Sequence, residues 1–530
     1  MTFCWQTEWF RTCMPLFSCL LEEAERIAAG KNGDLGKMGD LLGQIEHVCD
    51  PVEELKNCHY ARQMMNVRSA LLDLTQTDQK AELAAYTLLP FLWELREETY
   101  FWGCVAEDAQ KRKAYWQEEF VSHHRRVNPR RTEPKKVTIF IPACNHLDYT
   151  KQCVESVLRH TDLRACELLL LDHGSQDETA AYFHTIPNTK VIRFRENVGM
   201  LMFSVAFRAC CGRYLAFVSN QAAKAARGKY VMFLNNDTQV TEGWLSHLLD
   251  CLEREEKALS ATPVTPFTSN CQGIAPCPLE GLEDFAKEFH EKRKGNWRHR
   301  ARIMPVIGVY DVAKLDTMGF GDRWFQTMEF WDDDVSLRAR RKGFQQFLCT
   351  DVYCHHFGSV TGGVAWGKTL AAGQELFLQK HGVDAWGQGF CRSEDMIALL
   401  LEMKLPETSI SFLAVDCGFG DSIFEVQNYL KEQRKQVQTY ALSEVEGYRG
   451  DVFPFVQGWH TAVEGTAAAL TNAFAERRFS LILTEKSGLS GEILAERLLP
   501  GGYVLAMDSE LTKYFRLAGR KGHWSLWQKM

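Results

Sequence analysis

Long apolar runs are missing from this sequence. The most apolar stretch near its start, Cys13 to Leu21, falls far short of the ~20 residues a membrane-spanning helix needs. Glu8 and Arg11 precede it and Glu22, Glu23 and Glu25 follow, which fits neither a signal peptide nor a stop-transfer segment. Positive charge is not in excess either. Sixty-one Lys and Arg against 68 Asp and Glu leave a net charge of −7, which argues against a general nucleic-acid binder while leaving room for a local basic patch. A disulfide or zinc framework is also absent. The 18 cysteines are scattered without a CxxC pair, the pattern of reduced, mostly buried thiols in a cytoplasmic protein. What remains is ordinary globular material, 45% apolar and 24% charged. Its 530 residues suffice for about three domains.

Three textures follow one another along the chain. Residues 1–130 show 3.6-residue periodicity, as in Asp40–Cys49, Ala61–Leu74 and Ala81–Leu95, and predict an α-helical region. It ends in a basic stretch from His123 to Lys136, read as a solvated interdomain linker in preference to a phosphate-facing arm. Short β-branched runs then alternate with helical segments: Val137–Pro142, Glu167–Leu171, Lys190–Phe194 and Tyr230–Leu234 predict strands, with Tyr149–Arg159 and Gly243–Leu252 as helices. That alternation predicts an α/β domain with a mostly parallel sheet, in which ligands bind at the carboxyl ends of the strands. Those ends are polar: Pro142-Ala143-Cys144-Asn145, then Asp172-His173-Gly174-Ser175, then Asn235-Asn236-Asp237. Turns are rich in such residues anyway, but several on one side of a sheet form a candidate site.

These motifs, with Glu196-Asn197-Val198-Gly199, Arg227-Gly228-Lys229-Tyr230, Gly319-Phe320-Gly321-Asp322, the run from Trp331 to Gly343 and Tyr353-Cys354-His355-His356, resemble the family 2 glycosyltransferases, whose nucleotide-sugar-binding fold is called GT-A. The resemblance covers about 135–368. It implies an enzyme that moves a sugar from a UDP- or dTDP-type donor to a glycan, lipid-linked glycan or protein acceptor, as in cell-surface polysaccharide or flagellin-type glycosylation. It also implies Pro142, Asn145, Asp172, Asn197, Asn235 and Asn236 around the donor. Asp237, with His356 (or its neighbour His355), would hold a divalent Mn or Mg on the donor diphosphate. The usual Asp-x-Asp triplet is reduced here to Asn235-Asn236-Asp237, leaving one carboxylate. Aligning on Leu337-Arg338-Ala339-Arg340 makes Asp332 the base that deprotonates the acceptor; a one-residue shift promotes Asp333, and Asp334 is third. The same three acids also suit a helix N-terminus. A cysteine–histidine metal site from Cys349, Cys354 and the two histidines lacks a second ligand pair.

One departure from the pattern is an extra stretch of about 15 residues between Asn197 and Asn235. Ala206–Gln221 repeats Ala222–Asp237 at an offset of 16, and Gln221 stands where Asp237 would. The metal ligand is therefore assigned to the second copy.

The third texture follows a helical linker at 369–405. In 406–530, a strand at Ile410–Val415 ends in Asp416-Cys417-Gly418-Phe419-Gly420, and Leu498-Leu499-Pro500-Gly501-Gly502 opens a later strand. This resembles the Rossmann-like S-adenosylmethionine methyltransferases and implies cofactor contacts at Asp416, Gly418, Gly420 and Glu444. Ser422 replaces the last glycine of that motif, and the domain is short for an active enzyme. The leading expectation is thus an inverting glycosyltransferase. Its rivals are a bifunctional glycosyltransferase/methyltransferase and a non-catalytic glycan-binding or scaffold protein. A nucleotidyltransferase lacks its Gly-rich loop after Ile141. Oligomeric state leaves no signature.

Overall fold

The computed structural model describes residues 6–49, 59–124, 126–129, 135–195, 220, 223–325, 330–358, 366–387 and 393–530. The first texture is helical: Gln6–Ala28, Leu35–Cys49 and His59–Gln76 precede two joined runs, Lys80–Val105 and Ala109–Glu119. In Leu35–Cys49 the buried residues Met38, Leu42, Ile45 and Cys49 make one stripe, the three-to-four spacing of a helix with a single core face. Asp108 caps Ala109–Ala114, its carboxylate accepting from the Gln110 and Lys111 amides. Among the described residues three π-helical turns, Ala84–Leu88, Phe101–Val105 and Tyr115–Glu119, lie within these runs. They escape a reading based on 3.6-residue periodicity, since each rotates the buried face.

Among the described residues the central sheet has eight strands: β1 (Lys135–Ala143), β2 (Cys166–His173), β3 (Thr189–Phe194), β4 (Gly228–Leu234), β6 (Ala258–Val264), β7 (Trp297–Arg300), β8 (Ile307–Asp311) and β9 (Gln345–Tyr353). Their order is β3-β2-β1-β4-β8-β6-β9-β7. A two-stranded ribbon of β5 (Thr238–Gln239) and β10 (His355–His356) stands beside it. The sheet is less parallel than the sequence pattern suggested. β8 runs antiparallel to both β4 and β6, and β7 antiparallel to β9. β8 follows β7 with no helix between them, and the helix Leu282–Arg293 ahead of β7 gives no sign in the sequence that this strand runs antiparallel.

Both faces of this sheet are covered, which explains why its strands read as unbroken apolar runs. Val137, Ile139 and Ile141 of β1 face helices Leu147–His160 and Trp244–Arg254. Phe140 between them joins Leu169, Leu171, Ile192, Phe194 and Phe233 on the other face, in one core with the N-terminal helices. Phe91 packs on Phe194 with ring centroids 4.6 Å apart. The helical region therefore supplies one layer of the sandwich. Gly228 lets β1 and β4 meet: a Cβ there would come 2.4 Å from the Thr138 amide nitrogen.

The C-terminal sheet comprises β11 (Ser409–Val415), β12 (Gln436–Ser443), β13 (Gly458–Thr461), β14 (Phe479–Thr484), β15 (Leu498–Met507), β16 (Phe515–Lys521) and β17 (Trp524–Lys529), in the order β13-β12-β11-β14-β15-β17-β16. The five strands from β13 to β15 are parallel, and β17 is inserted antiparallel between β15 and β16. Its helix Asp421–Glu432 lies along β7, the edge strand of the central sheet. Asn428 brackets the backbone of His299, accepting from its amide at 3.1 Å and donating to its carbonyl at 2.9 Å. Arg298 pairs with Glu425 (3.1 Å) and Glu432 (2.9 Å), and the wholly buried Arg300 with Asp421 (3.3 Å). An edge that would otherwise offer unpaired backbone groups is thereby closed.

Candidate active site

The polar strand ends meet as the topology requires. Asn145 and His146, after β1, both take left-handed backbone conformations, with φ of 58° and 57°. The turn lets Asn145 reach the loop after β2. Its amide donates to Ser175 Oγ (2.9 Å), and its side-chain oxygen accepts from the Gln176 amide (2.8 Å). Asp172 closes β2, in register with Ala143. One carboxylate oxygen accepts from the Ser175 amide at 2.9 Å, and Arg193 of β3 lies 3.5 Å from the other. Burial raises the Asp172 carboxyl above its ordinary value against those partners. Pro142 is half-buried on the same edge. Asn197 lies outside the described residues.

Beyond β4 the chain turns through Asn235, Asn236 and Asp237. The Asn235 amide bonds to the Val306 carbonyl (3.0 Å), and Asn236 Nδ2 donates to Thr150 Oγ1 (2.9 Å), seating the turn on helix Leu147–His160. β5 then pairs with β10, which sets His356 opposite Thr238. The result is a carboxylate–imidazole pair: His356 Nε2 stands 3.4 Å from Asp237 Oδ2, while the Asp237 carbonyl accepts the Phe357 amide at 2.9 Å. His356 Nδ1 faces the Pro266 carbonyl at 3.3 Å. His355 turns elsewhere, with Nδ1 3.4 Å from the Tyr353 hydroxyl. Among the described residues no cluster of three or more potential metal ligands occurs. One oxygen and one nitrogen ligand fit a divalent ion that completes its shell with water and substrate phosphates. Cys349 and Cys354 are buried, and neither joins this pair.

The three adjacent acids separate cleanly. All lie in the first turn of helix Trp331–Arg341. Asp334 is fully buried and bonds to Arg338 (2.9 Å), Lys380 (2.5 Å) and His381 (2.8 Å), which hold its carboxyl well below the usual range against burial. Asp333 is gripped by Arg302 through two nitrogens, at 2.6 and 3.2 Å, and lines a small cavity shared with Arg340 and Phe419. Burial nonetheless pushes Asp333 up, to about 7. Asp332 is half-buried and has no side-chain partner among the described residues. Burial raises its carboxyl too, with Arg302 pulling the other way. Aromatic packing sets this turn beside β4: Trp331 packs on Phe320 (5.7 Å), and Phe320 stacks on Phe233 (4.9 Å).

The C-terminal acids also come together. Asp416, at φ 49°, accepts from the Glu444 amide (2.8 Å) and Thr466 Oγ1 (2.7 Å). Glu444 accepts from the Thr466 amide (2.9 Å) and Lys486 Nζ (2.5 Å), and Lys486 above all holds its carboxyl down at about 2. Gly418 and Gly420, with φ of 46° and 86°, shape the intervening loop. Phe419 between them packs on Tyr448 (4.9 Å). Thr466 and Lys486 escaped the sequence reading, since neither sits in a motif and only the strand order brings them to β11 and β12.

Two stretches, residues 138–219 and 218–300, match the family model described as Glycosyl transferase family 2. The match runs from β1 to β7 and divides inside the repeated stretch. Protein CgeD of Bacillus subtilis is 29% identical over 219 residues, which cover 40% of this chain and 48% of CgeD. The chain thus spans about half the length of that curated relative. Among solved structures, a mannosyltransferase from Pyrobaculum calidifontis, in complex with GDP-Man and Mn2+, is 15% identical, covering 77% of this chain and 87% of its own at a TM-score of 0.33. GalNAc-T7, with UDP, GalNAc and Mn2+, is 13% identical, covering 46% and 47% at 0.35.

Proposed function

We infer that the chain is an inverting glycosyltransferase, moving a sugar from a UDP- or dTDP-type donor to a hydroxyl of a glycan, a lipid-linked glycan or a protein. The observation that carries this is the convergence on one sheet edge of a polar pocket, a carboxylate–imidazole pair and a carboxylate, Asp332, with no side-chain partner among the described residues. The family-model match supports it. Asn145 and Asp172 bind the nucleotide base and ribose, beside Pro142, Asn235 and Asn236. Asp237 and His356 hold the divalent ion, which when bound neutralises the departing diphosphate. An imidazole ligand favours Mn over the harder Mg.

Asp332 takes the proton of the acceptor hydroxyl as its oxygen attacks the anomeric carbon. The new C–O bond forms on the face opposite the breaking bond to the diphosphate, so the configuration inverts. Its raised carboxyl makes Asp332 a stronger base than an exposed aspartate. The test is turnover of a nucleotide-sugar panel with Mn2+, Mg2+ or EDTA, with the product anomer read by NMR. Metal-dependent release of one nucleotide with an inverted product supports the reading. No turnover and no donor binding would sink it and favour a glycan-binding or scaffold protein.

The C-terminal strand order favours a second reading, a domain of the methyltransferase type. Numbered within the domain, its strands run 3-2-1-4-5-7-6. The residues present do not fit S-adenosylmethionine as they stand, because Asp416 and Glu444 already bond Thr466 and Lys486. Calorimetric titration of the whole chain with S-adenosylmethionine decides it: saturable binding revives the bifunctional reading, and a flat titration ends it.

A further inference from the structure

Phe267 is the most exposed aromatic residue in the described core-facing loops, with 61% of its surface open, although its neighbours Thr265, Pro266 and Asn270 are buried. It also carries a left-handed backbone, φ 56°, a conformation that side chains with a Cβ adopt at a cost. The surrounding loop is fixed. Thr265 bridges to Gly273, Gln272 bonds to both the amide and the carbonyl of Met304 (2.7 and 3.0 Å), and the Asn270 carbonyl accepts from Arg300 (3.2 Å). Gly358 backs the ring, since a Cβ at that position would come 2.6 Å from Phe267 Cβ. The preceding carbonyl, that of Pro266, is the one facing His356. A strained, solvent-facing ring is thus held on a rigid loop beside the Asp237–His356 pair.

Its place along the sheet edge points to an occupant. In strand order the edge runs from β2 (Asp172) through β1 (Asn145) and β4 (Asp237) to β6, whose end carries Phe267. The ring therefore lies on the far side of the carboxylate–imidazole pair from the pocket assigned to the nucleotide. We propose that Phe267 is a stacking platform for the pyranose ring of the acceptor sugar, a site that rests on the transferase reading above. The C–H face of a pyranose is apolar and its rim is hydroxylated, so an aromatic face orders the ring while leaving a hydroxyl free to meet Asp332.

The test is saturation-transfer NMR on the full chain with UDP and Mn2+ and a panel of methyl glycosides of hexoses, N-acetylhexosamines and deoxyhexoses. Wild type is expected to saturate the ring C–H protons of at least one glycoside. Phe267→Ala loses that signal, Phe267→Trp keeps it, and Phe267→Gly loses it while raising Tm, because glycine relieves the backbone. With the same glycoside as acceptor, Phe267→Ala raises the acceptor KM about five- to tenfold and leaves the donor KM unmoved. Equal signals from wild type and Phe267→Ala, no signal from wild type with any glycoside, or a rise in the donor KM instead, would each overturn the proposal. A chain that turns over no nucleotide sugar fails the transferase reading, whereas the NMR signal judges Phe267 without turnover.

Discussion

Each of the two large sheets gathers acids at its carboxyl edge, and the two gatherings are built to opposite ends. On the central sheet Asp237 faces an imidazole, and Asp332 has no side-chain partner among the described residues. On the C-terminal sheet Asp416 and Glu444 are met by a hydroxyl, an amide and the ammonium of Lys486, all from the same domain. A carboxylate answered from within needs nothing from outside; one left open is ready for a cation or a proton. Similar motifs at similar places in two α/β folds therefore carry different weight, and what separates Asp237 and Asp332 from Glu444 is that no ammonium or guanidinium among the described residues bonds to them.

The comparison is broken most forcefully at Asp237. Asp237→Ala is expected to lower metal-dependent turnover roughly a thousandfold, about 4 kcal/mol of lost charge stabilisation. Steady-state rates across a Mn2+ titration check it, and a variant rescued by more metal alone would assign the ion elsewhere. Next in size is the split within the acidic turn. Asp332→Asn should cut kcat by about 10²–10⁴ with donor binding kept. Asp333→Asn should instead lower stability by about 1–3 kcal/mol, since it weakens the buried contact with Arg302. Urea unfolding beside kcat for both variants checks this pair. Because burial raises Asp332, the acid limb of kcat against pH should lie above the ordinary aspartate value of about 3.9. Activity falls as pH drops through that limb.

Lys486 gives the smallest effect and the sharpest contrast. With the Glu444 carboxyl held down at about 2, the pair stabilises the fold at neutral pH. That contribution is complete above the unfolded glutamate value of about 4.3 and is lost as pH falls towards 2. Glu444 is 40% exposed, so the pair is worth only about 0.2–1 kcal/mol. Thermal unfolding of wild type and Lys486→Ala should differ at pH 7 and converge near pH 2. A constant gap would mean that Lys486 acts through packing.

Much of this was legible in the sequence. Apolar runs ending in Asn145, Asp172 and Asp237 located the strand ends, because a strand buried on both faces can only be apolar and its polar residues collect where it stops. The pairing of Asp237 with His356 was foreshadowed, but choosing His356 over His355 needed the β5–β10 ribbon. The acids Asp332 to Asp334 were visible as a group, and the resemblance ranked them only by alignment, with Asp332 first. Their partners Arg302, Lys380 and His381 lie tens of residues away, and no local pattern encodes such distances. The repeated stretch Ala206–Gln221 lies almost wholly outside the described residues, of which Asn220 alone is placed. It bonds to the amide and carbonyl of Gly321.

The cover over β7 has a consequence for how the chain can be divided. Residues 369–405 were read as a linker between domains, yet Arg298, Arg300 and Asn428 stitch the two sides of that boundary together. Arg300 is completely buried, and its carboxylate partners among the described residues, Asp421 and Glu425, come from the C-terminal side. A fragment ending before Asp421 would hold an uncompensated guanidinium and a bare strand edge, both of which favour self-association. The module boundary seen in the sequence is thus no cleavage point for the folded protein: its two α/β halves are fastened to each other across β7.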